Sequence, residues 1–149
     1  MIKANQAVVP AGKVMSGTYG TVVVDGHQVA SIKNAQAKVE YRWENVSQCG
    51  ALTEGRKLGG MKITYSYSYN RVYSHGADYA EKAKQGDAPE VTIIIGLDDP
   101  AAYGAERVAL YGCTLDATVL ADFAAGKPSE ATVSGEAMDF EYLDRVEER

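Results

Sequence analysis

Histidine is the first place to look for chemistry in this chain, because its side chain can act as a general base or as a metal ligand. The sequence holds two histidines, His27 and His75. His27 follows Asp25-Gly26, a pair that could sit beside a nucleophile but that is fully explained as the turn of a β-hairpin. His75 and Asp78 have the i, i+3 spacing of half a metal site, without further histidines to complete it. Both patterns favour structural roles, a hairpin turn and a solvated helix face.

Adjacent carboxylates are the next candidate. Asp98 and Asp99 could form an acid–base pair, but such a pair needs one acid in an apolar pocket, where its pKa rises. Pro100 follows directly, so the sequence favours an exposed turn. Residues 126–128, Gly-Lys-Pro, lack the glycine and hydroxyl residue at the spacing of a phosphate-binding loop. Neither motif predicts an active site.

The cysteines and aromatic residues also lack the neighbouring residues that a metal, redox or nucleic-acid site requires. Cys49 and Cys113 are the two cysteines, without the C-x-x-C spacing of zinc or redox sites. In a reducing compartment they are expected to be free thiols. Trp43 and the tyrosines of residues 61–70 could stack nucleic-acid bases, but no basic groove accompanies them. We therefore predict a protein that is not an enzyme and that needs no metal or cofactor.

Composition narrows the class of protein. The chain has 149 residues, of which 46% are hydrophobic, and this predicts one globular domain over residues 1–149. Its 15 Lys and Arg against 20 Asp and Glu give a net charge of −5. A protein that grips nucleic-acid phosphates normally shows a basic patch, so this balance argues against that function. Without a signal segment or an apolar run of transmembrane length, the sequence predicts a soluble, cytoplasmically made protein with no membrane contact.

Alternating patterns predict β-strands over the first half of the chain. Residues 18–24, followed by Asp25-Gly26, indicate a β-hairpin. Residues 28–43 predict one long strand, with odd-numbered residues on one face and even-numbered residues, Ile32 included, on the other. Residues 61–70 alternate most cleanly, with an apolar, tyrosine-rich face opposite a polar face that is expected to contact water.

Outside these predicted strands the alternation of apolar and polar residues is lost. Residues 44–60 have no period and include four glycines, which predicts a long loop of functional importance. Residues 73–85 are the one helical candidate, with Ser74 as its cap and Gly86 as its terminator. Residues 1–16 are expected to form a flexible or assembly arm.

The second half is expected to hold the rigid spine of the fold. Residues 91–95 are apolar and mostly β-branched, which predicts a strand covered on both faces, with Ile94 facing away from Ile93. Residues 98–104 are predicted to be the surface tip of a hairpin whose return strand is residues 106–111. A further long extended pair is expected from residues 114–124 and 131–142. The total is about seven strands and one short helix.

Three segments of the chain resemble a known family. They are TYGTVVVDGHQVASIKNAQAKVE from residue 18, MKITYSYSYNRV from residue 61 and LDDPAAYGAERVALYGCTLD from residue 97. In this order they are similar to the tail tube proteins of contractile-tailed phages and phage-like particles, of the sort found in defective prophages. The resemblance covers most of the chain and lies in structural residues.

The resemblance implies a mainly β fold, an antiparallel β-barrel or sandwich with one short α-helix. It implies homohexameric rings that are assembled in the bacterial cytoplasm and stack into the tube of a virion tail, through which DNA passes without specific binding. The implied partners are further copies of the chain and the tail sheath, baseplate and tape-measure proteins. Tube subunits of bacteriocins and contractile injection particles are similar and stay open as alternatives. A monomeric β-barrel that binds a small ligand is the competing class.

Two sets of residues are expected to serve assembly. The polar face of residues 61–70 is expected to line the lumen of the tube, through Lys62, Thr64, Ser66, Ser68 and Asn70. The long loop is expected to contact neighbouring subunits or rings, because its length leaves it little role within one domain. Its members in that role are Glu44, Cys49, Leu52, Glu54, Arg56, Lys57 and Leu58.

Overall fold

The computed structural model describes residues 8–148, and the first seven positions of the predicted arm at residues 1–16 lie outside them. The described part is mainly antiparallel β-sheet with one α-helix, which confirms the predicted fold class. Single 3-10 turns at Ala11–Lys13 and Gly17–Tyr19 precede the strands. The strands and helix are β1 (Gly20–Val24), β2 (His27–Gln28), β3 (Ile32–Val46), β4 (Gly55–Asn70), α1 (Ala77–Lys84), β5 (Val91–Leu97), β6 (Glu106–Leu115), β7 (Glu130–Ala137) and β8 (Asp139–Asp144).

The strands follow the order β2-β1-β5-β6-β7-β4-β3, with β8 also paired to β6. Strand β6 joins two sheets, because its first part pairs with β5 and β8 whereas Thr114 and Leu115 pair with β7. Gly112 lies at the change of partner with φ 63°, a left-handed conformation that favours glycine. The two sheets, joined through β6, curl over each other so that β3 approaches β1 and β5.

The core lies between the two sheets. Ile63 and the tyrosines at 65, 67 and 69 are buried there, which confirms the predicted alternation on β4, whereas Met61 is exposed. Val22, Ile93, Leu110 and Cys113 are its most deeply buried side chains. Strand β7 lies very close to β6 at Gly135, where an added Cβ would clash with the carbonyl oxygen of Thr114. Only glycine fits at this position.

The first predicted hairpin is present, and its turn is the predicted pair. Val24 pairs with His27 across Asp25 and Gly26, whose φ values of 47° and 84° are those of a type I′ turn. The prediction of one strand over residues 28–43 is wrong at its start, because the chain turns at Ser31, where φ is 58°.

Strand β3 also contains a bulge that the alternation does not reveal. It lies between Ile32 and Asn34, and a second shift of register, opposite Arg42 and Trp43, places the extra residue Gly59 in β4. A bulge inserts one residue and exchanges the two faces. Ile32 therefore packs against the core together with Ala37 and Val39, and the prediction that it lies on the face opposite to theirs is wrong.

The predicted loop at residues 44–60 is much shorter in the structure. Strands β3 and β4 continue their pairing to Val46 and Gly55, so that only residues 47–54 form the connection. The glycines that suggested a loop have another role, because an added Cβ at Gly59 would lie 2.9 Å from the Glu44 carboxylate. Arg42 also reaches across β4 and donates to the Gly59 carbonyl oxygen at 2.6 Å. Glycine leaves room for the side chains of the neighbouring strand.

The helix is shorter than predicted and has a different cap. It begins after Gly76, which is left-handed with φ 82° and makes no side-chain capping hydrogen bond, so Ser74 is not the cap. Gly86, also left-handed with φ 86°, follows its end as predicted. The helix has no buried residue.

The β5–β6 hairpin is present, with Leu97 paired to Glu106, but its details differ from the prediction. Ile93 is buried in the core, whereas Ile94 is only half-buried and lies outside the core cluster. At the tip, Asp98 and Pro100 are exposed as expected, but Asp99 is buried, with 5% of its surface exposed. The expectation that the whole tip lies at the surface is therefore wrong at Asp99.

The last predicted pair, residues 114–124 with 131–142, does not form. After Leu115 the chain leaves the sheet, and residues 116–129 form an ordered loop with one isolated bridge between Ala124 and Lys127. The second segment divides at Met138 into β7 and β8, which pair with different parts of the molecule. The described residues thus contain eight strands rather than about seven.

Candidate interaction surfaces

The residues with catalytic potential are held in structural roles. Asp25 accepts a hydrogen bond from the Thr92 backbone N–H at 2.9 Å, which ties the first hairpin to β5. His75 packs edge-on against Tyr69, with ring centroids 5.2 Å apart. Within residues 8–148, no three His, Cys, Asp or Glu side chains are placed to hold a metal ion. The candidate motifs thus serve to connect elements of the fold.

The carboxylate of Asp99 also has identified partners. Its Oδ2 accepts a hydrogen bond from the Ser16 N–H at 3.0 Å, and its Oδ1 accepts one from the Ala101 N–H at 2.9 Å. Asp98 is exposed, so the two side chains do not share an environment. The pair acts as turn and anchor rather than as an acid–base couple.

Both thiols are free, as expected. Cys49 is exposed in the connection between β3 and β4, and Cys113 is buried in the core. Burial raises the pKa of the Cys113 thiol to about 11, so this group stays protonated at neutral pH. A thiol in that state is a poor nucleophile.

A cavity of about 690 Å³ lies between the helix and the sheet. It brings together both histidines of the chain with Asp25 and Asp78, and the rings of Tyr67, Tyr69 and Tyr73 line it as well. Its volume is that of a small-molecule pocket. This is the feature that a ligand-binding protein would use.

The predicted lumen residues share one face of the structure. Lys62, Thr64, Ser66, Ser68 and Asn70 alternate with the buried side chains of β4 and point away from the core. Neighbouring strands extend this face, because Gln36 of β3 and Ser134 of β7 pair with Ser66 from either side. The hydroxyls of Ser68 and Thr132 are hydrogen bonded at 2.9 Å.

Sequence reasoning missed the contribution of β7 to this polar face. Glu130, Thr132, Ser134 and Glu136 alternate with buried residues in EATVSGEA, so the same period-two signal was present there. The prediction of one strand over residues 131–142 does not reveal it, because the alternation ends at Met138, where the chain changes its pairing partner. The polar face is therefore at least three strands wide.

The lysines of the polar face are each paired with a glutamate. Lys62 lies 2.8 Å from Glu136, and that hydrogen bond and its charge raise the pKa of the ammonium group. Lys33 lies 2.6 Å from Glu130, and Lys38 lies 3.1 Å from Glu40. The centre of the face is made of neutral hydroxyls and amides. A polyanion would thus meet little uncompensated positive charge there.

The hairpin arm, residues 41–61, extends β3 and β4 beyond the core. It presents large apolar side chains to solvent, namely Tyr41, Trp43, Val46, Leu52, Leu58 and Met61. Trp43 lies 6.2 Å from the Tyr41 ring and carries the Arg56 guanidinium over its face at 4.6 Å. Such an exposed apolar surface is typical of a site for another protein.

All the predicted contact residues lie on this arm. Glu44 is paired with Arg42 at 3.1 Å, and Glu54 accepts a hydrogen bond from Ser47 at 3.0 Å. The other five, Cys49, Leu52, Arg56, Lys57 and Leu58, are exposed. Tyr41, Trp43 and Met61 are exposed on the arm as well, whereas the alternation of their strands predicts that they lie on a buried apolar face.

Comparison with known proteins gives a consistent result. A family model described as phage tail tube protein matches residues 7–144. The phage-like element PBSX protein XkdM of Bacillus subtilis (strain 168) is 31% identical over 139 residues, which cover 90% of this chain and 91% of that protein.

In the part of the chain that the structure describes, the one helix is too short and too polar to cross a membrane.

Two solved structures share the fold at very low sequence identity. The tube terminating cap of the anti-feeding prophage superposes with a TM-score of 0.68 at 10% identity, over 97% of both chains. A chain of the sheath–tube complex of the extracellular contractile injection system PVC superposes with a TM-score of 0.67 at 9% identity, over 93% of both chains. At such identities the likeness establishes the fold alone.

Proposed function

This chain belongs to the phage tail tube protein family and is a structural component of a phage or phage-like tail; from that premise we propose that six copies form a ring. The rings stack into a tube whose lumen conducts DNA, or an effector in an injection particle. The observation that carries the proposal is the hairpin arm, which exposes an apolar surface that a single subunit does not cover.

The sheet edges also support a ring. Among the described strands, β3 pairs only with β4 and so presents a 15-residue edge. Long exposed edges invite pairing with other chains, and natural proteins cover or close them. Cyclic symmetry among identical subunits gives each edge a partner without leaving one open. A ring of this protein would therefore use an edge that would otherwise promote aggregation.

The polar face of β3, β4 and β7 is proposed to line the lumen. Phosphates gripped by Lys or Arg add affinity, and affinity would slow a passing strand of DNA. A surface of Ser66, Ser68 and Asn70, with Lys62 paired to Glu136, offers hydrogen bonds without net positive charge. Such a surface would let DNA pass through the lumen without binding it specifically.

The proposed partners are further copies of the chain and the sheath, baseplate and tape-measure proteins of the tail. The fold likeness to a chain of a sheath–tube complex supports this set. The proposed location is the tail of a virion or phage-like particle that is assembled in the bacterial cytoplasm. Bacteriocin and contractile injection particles use the same architecture and stay as alternatives.

A small-ligand-binding monomer is the second candidate, and the 690 Å³ cavity beside the helix favours it. Size distinguishes the two functions. Sedimentation and negative-stain images of the purified protein should show rings or tubes, and a particle of 16.0 kDa would contradict the proposal.

The contribution of the hairpin arm can be tested separately. Trp43 pairs with Leu58, so replacement of residues 44–57 by Asn-Gly joins them through a two-residue turn. This variant keeps the core and should melt like the wild type, yet it should not form tubes. Normal tubes from the shortened protein would show that the arm is not an assembly element.

A further inference from the structure

The loop of residues 116–129, here the end loop, is organised around one arginine. The Arg71 backbone N–H donates to the Ser129 carbonyl oxygen at 2.7 Å. Its guanidinium donates to the carbonyl oxygens of Asp122 at 3.3 Å and Leu120 at 3.5 Å. The Ser129 hydroxyl also donates to the Asp122 carbonyl oxygen. These contacts fix the backbone of the end loop, and Val119 packs against the core as well.

Two large apolar side chains of the end loop are exposed to solvent. Phe123 is 88% exposed and Leu120 is 78% exposed. Val72 and Tyr73, directly after Arg71, are exposed as well. Because the backbone of the end loop is already fixed, little conformational entropy is lost when a partner buries the Phe123 ring. The end loop thus has the properties of a preorganised docking surface.

The end loop and the hairpin arm lie at opposite ends of the subunit. Arg71 follows the last residue of β4, whereas the hairpin arm contains the first residues of that strand. Strand β4 has 16 residues and is therefore roughly 50 Å long, at about 3.3 Å per residue. When identical subunits stack in one direction, the opposite ends of successive copies meet.

The hairpin arm and the end loop also differ in the sign of their charge when each segment is counted by itself. The hairpin arm holds three cations, Arg42, Arg56 and Lys57, against two anions, Glu44 and Glu54. The end loop holds two anions, Asp116 and Asp122, against one cation, Lys127. The Arg71 guanidinium, held by carbonyl oxygens of the end loop, balances the remaining anion there, so complementarity between the two apolar surfaces rests on single pairs such as Asp122 with Arg56.

We propose that the end loop of one subunit docks on the hairpin arm of a subunit in the next ring. Phe123 and Leu120 then pack on the Tyr41 and Trp43 surface, with Asp122 beside Arg56. The contact is head to tail, so each ring uses one surface on each side and the stack grows without limit. This inference rests on the proposed function, since it needs rings that stack.

Charge reversal tests the contact directly. Asp122→Arg leaves the backbone carbonyl that Arg71 holds in place, and Arg56→Asp reverses the other side. Each variant alone brings like charges together, and we expect the subunit concentration at which tubes form to rise at least about tenfold. Mixed in equal amounts, the two kinds of ring can alternate with opposite charges at every junction. Tubes should then form again at nearly the wild-type concentration.

Controls separate this contact from general effects of charge and apolar surface. Glu81→Arg on the exposed face of the helix should leave tube formation unchanged. Leu120→Ser with Phe123→Ser should abolish stacking, whereas Met138→Ser, at a side chain that is 79% exposed elsewhere, should not. Thermal melts confirm that each variant is folded.

The outcomes distinguish this inference from the function on which it rests. If the wild type forms neither rings nor tubes, the proposed function fails and the inference fails with it. If the wild type forms tubes and the mixture is no better than the single variants, the end loop does not meet the hairpin arm. Single variants that polymerise like the wild type would overturn the inference as well.

Discussion

The carboxylate of Asp99 accepts a hydrogen bond from the backbone N–H of Ser16 at 3.0 Å, across 83 positions of sequence. It joins the tip of the β5–β6 hairpin to the segment that leads into β1. Lys13 adds a second contact, since its ammonium group lies 5.3 Å from the centre of the Tyr103 ring. Val8 and Val9, which precede these anchors, and Val14, which lies between them, are exposed. The described part of the N-terminal arm is thus held at its base and free to meet a neighbour.

Loss of the Asp99 carboxylate should therefore destabilise the protein. Asp99→Ala leaves the Ser16 N–H without its acceptor, and an unsatisfied buried group costs about 1–3 kcal/mol. Asp98→Ala, at the exposed neighbour, is the matched control and should change the free energy of unfolding little. Urea unfolding measures both. Equal effects of the two substitutions would show that the buried hydrogen bond does not contribute.

Ile93 and Ile94 should respond very differently to truncation. Ile93 is 1% exposed and packs in the core, so Ile93→Ala should cost about 2–5 kcal/mol. Ile94 is half-buried on the other face of β5, and its truncation should cost clearly less. Thermal melts of the two variants decide the matter, and a larger effect at Ile94 would mean that the register of β5 is wrong.

The features of the fold that the sequence predicts correctly are those with a local signal in the chain. The Asp25-Gly26 turn and the alternation of β4 are local, and both appear in the structure. The bulge between Ile32 and Asn34 depends on contacts across the sheet, and alternation along one strand does not record it. The burial of Asp99 depends on Ser16, far away in sequence. Neither feature has a local signal.

The hairpin arm was predicted only in part, for a related reason. Glycines at 55, 59 and 60 indicated a loop, because glycine usually weakens a strand. In the hairpin arm, Gly59 and Gly60 instead make room for the side chains of Glu44 and Arg42. Apolar residues such as Trp43 predict a buried face, and a single sequence does not tell whether the covering surface belongs to the same subunit or to another.

The buried tyrosines should make stability fall at alkaline pH. Burial raises the pKa of Tyr67 from the ordinary 10.0 to about 12, and it raises the pKa of Tyr65 still further. The unfolded chain then releases its protons first, so the stabilisation is complete below pH 10 and is lost as pH rises through 12. Tyr67→Phe should weaken this dependence, whereas Tyr73→Phe, at an exposed ring, should leave the Tyr67 contribution in place. Urea titrations between pH 8 and 12 measure the slope.

The paired lysines of the polar face give a prediction about transit. If Glu130 and Glu136 neutralise Lys33 and Lys62, then Glu130→Gln with Glu136→Gln should expose two lysines in every subunit of a tube. DNA should then be retained, with an affinity that falls steeply as salt rises, because each phosphate contact releases counterions.

The control for this effect removes the same charge elsewhere. Glu81→Gln with Glu148→Gln changes the net charge equally but lies off the polar face, so it should not increase retention of DNA. Exposed ion pairs contribute little to stability, so none of these variants should melt at a clearly lower temperature. Filter binding of labelled DNA to assembled tubes at several salt concentrations supplies the measurement. Equal retention by the two double variants would show that net charge matters and that the lysines of the polar face do not meet the DNA.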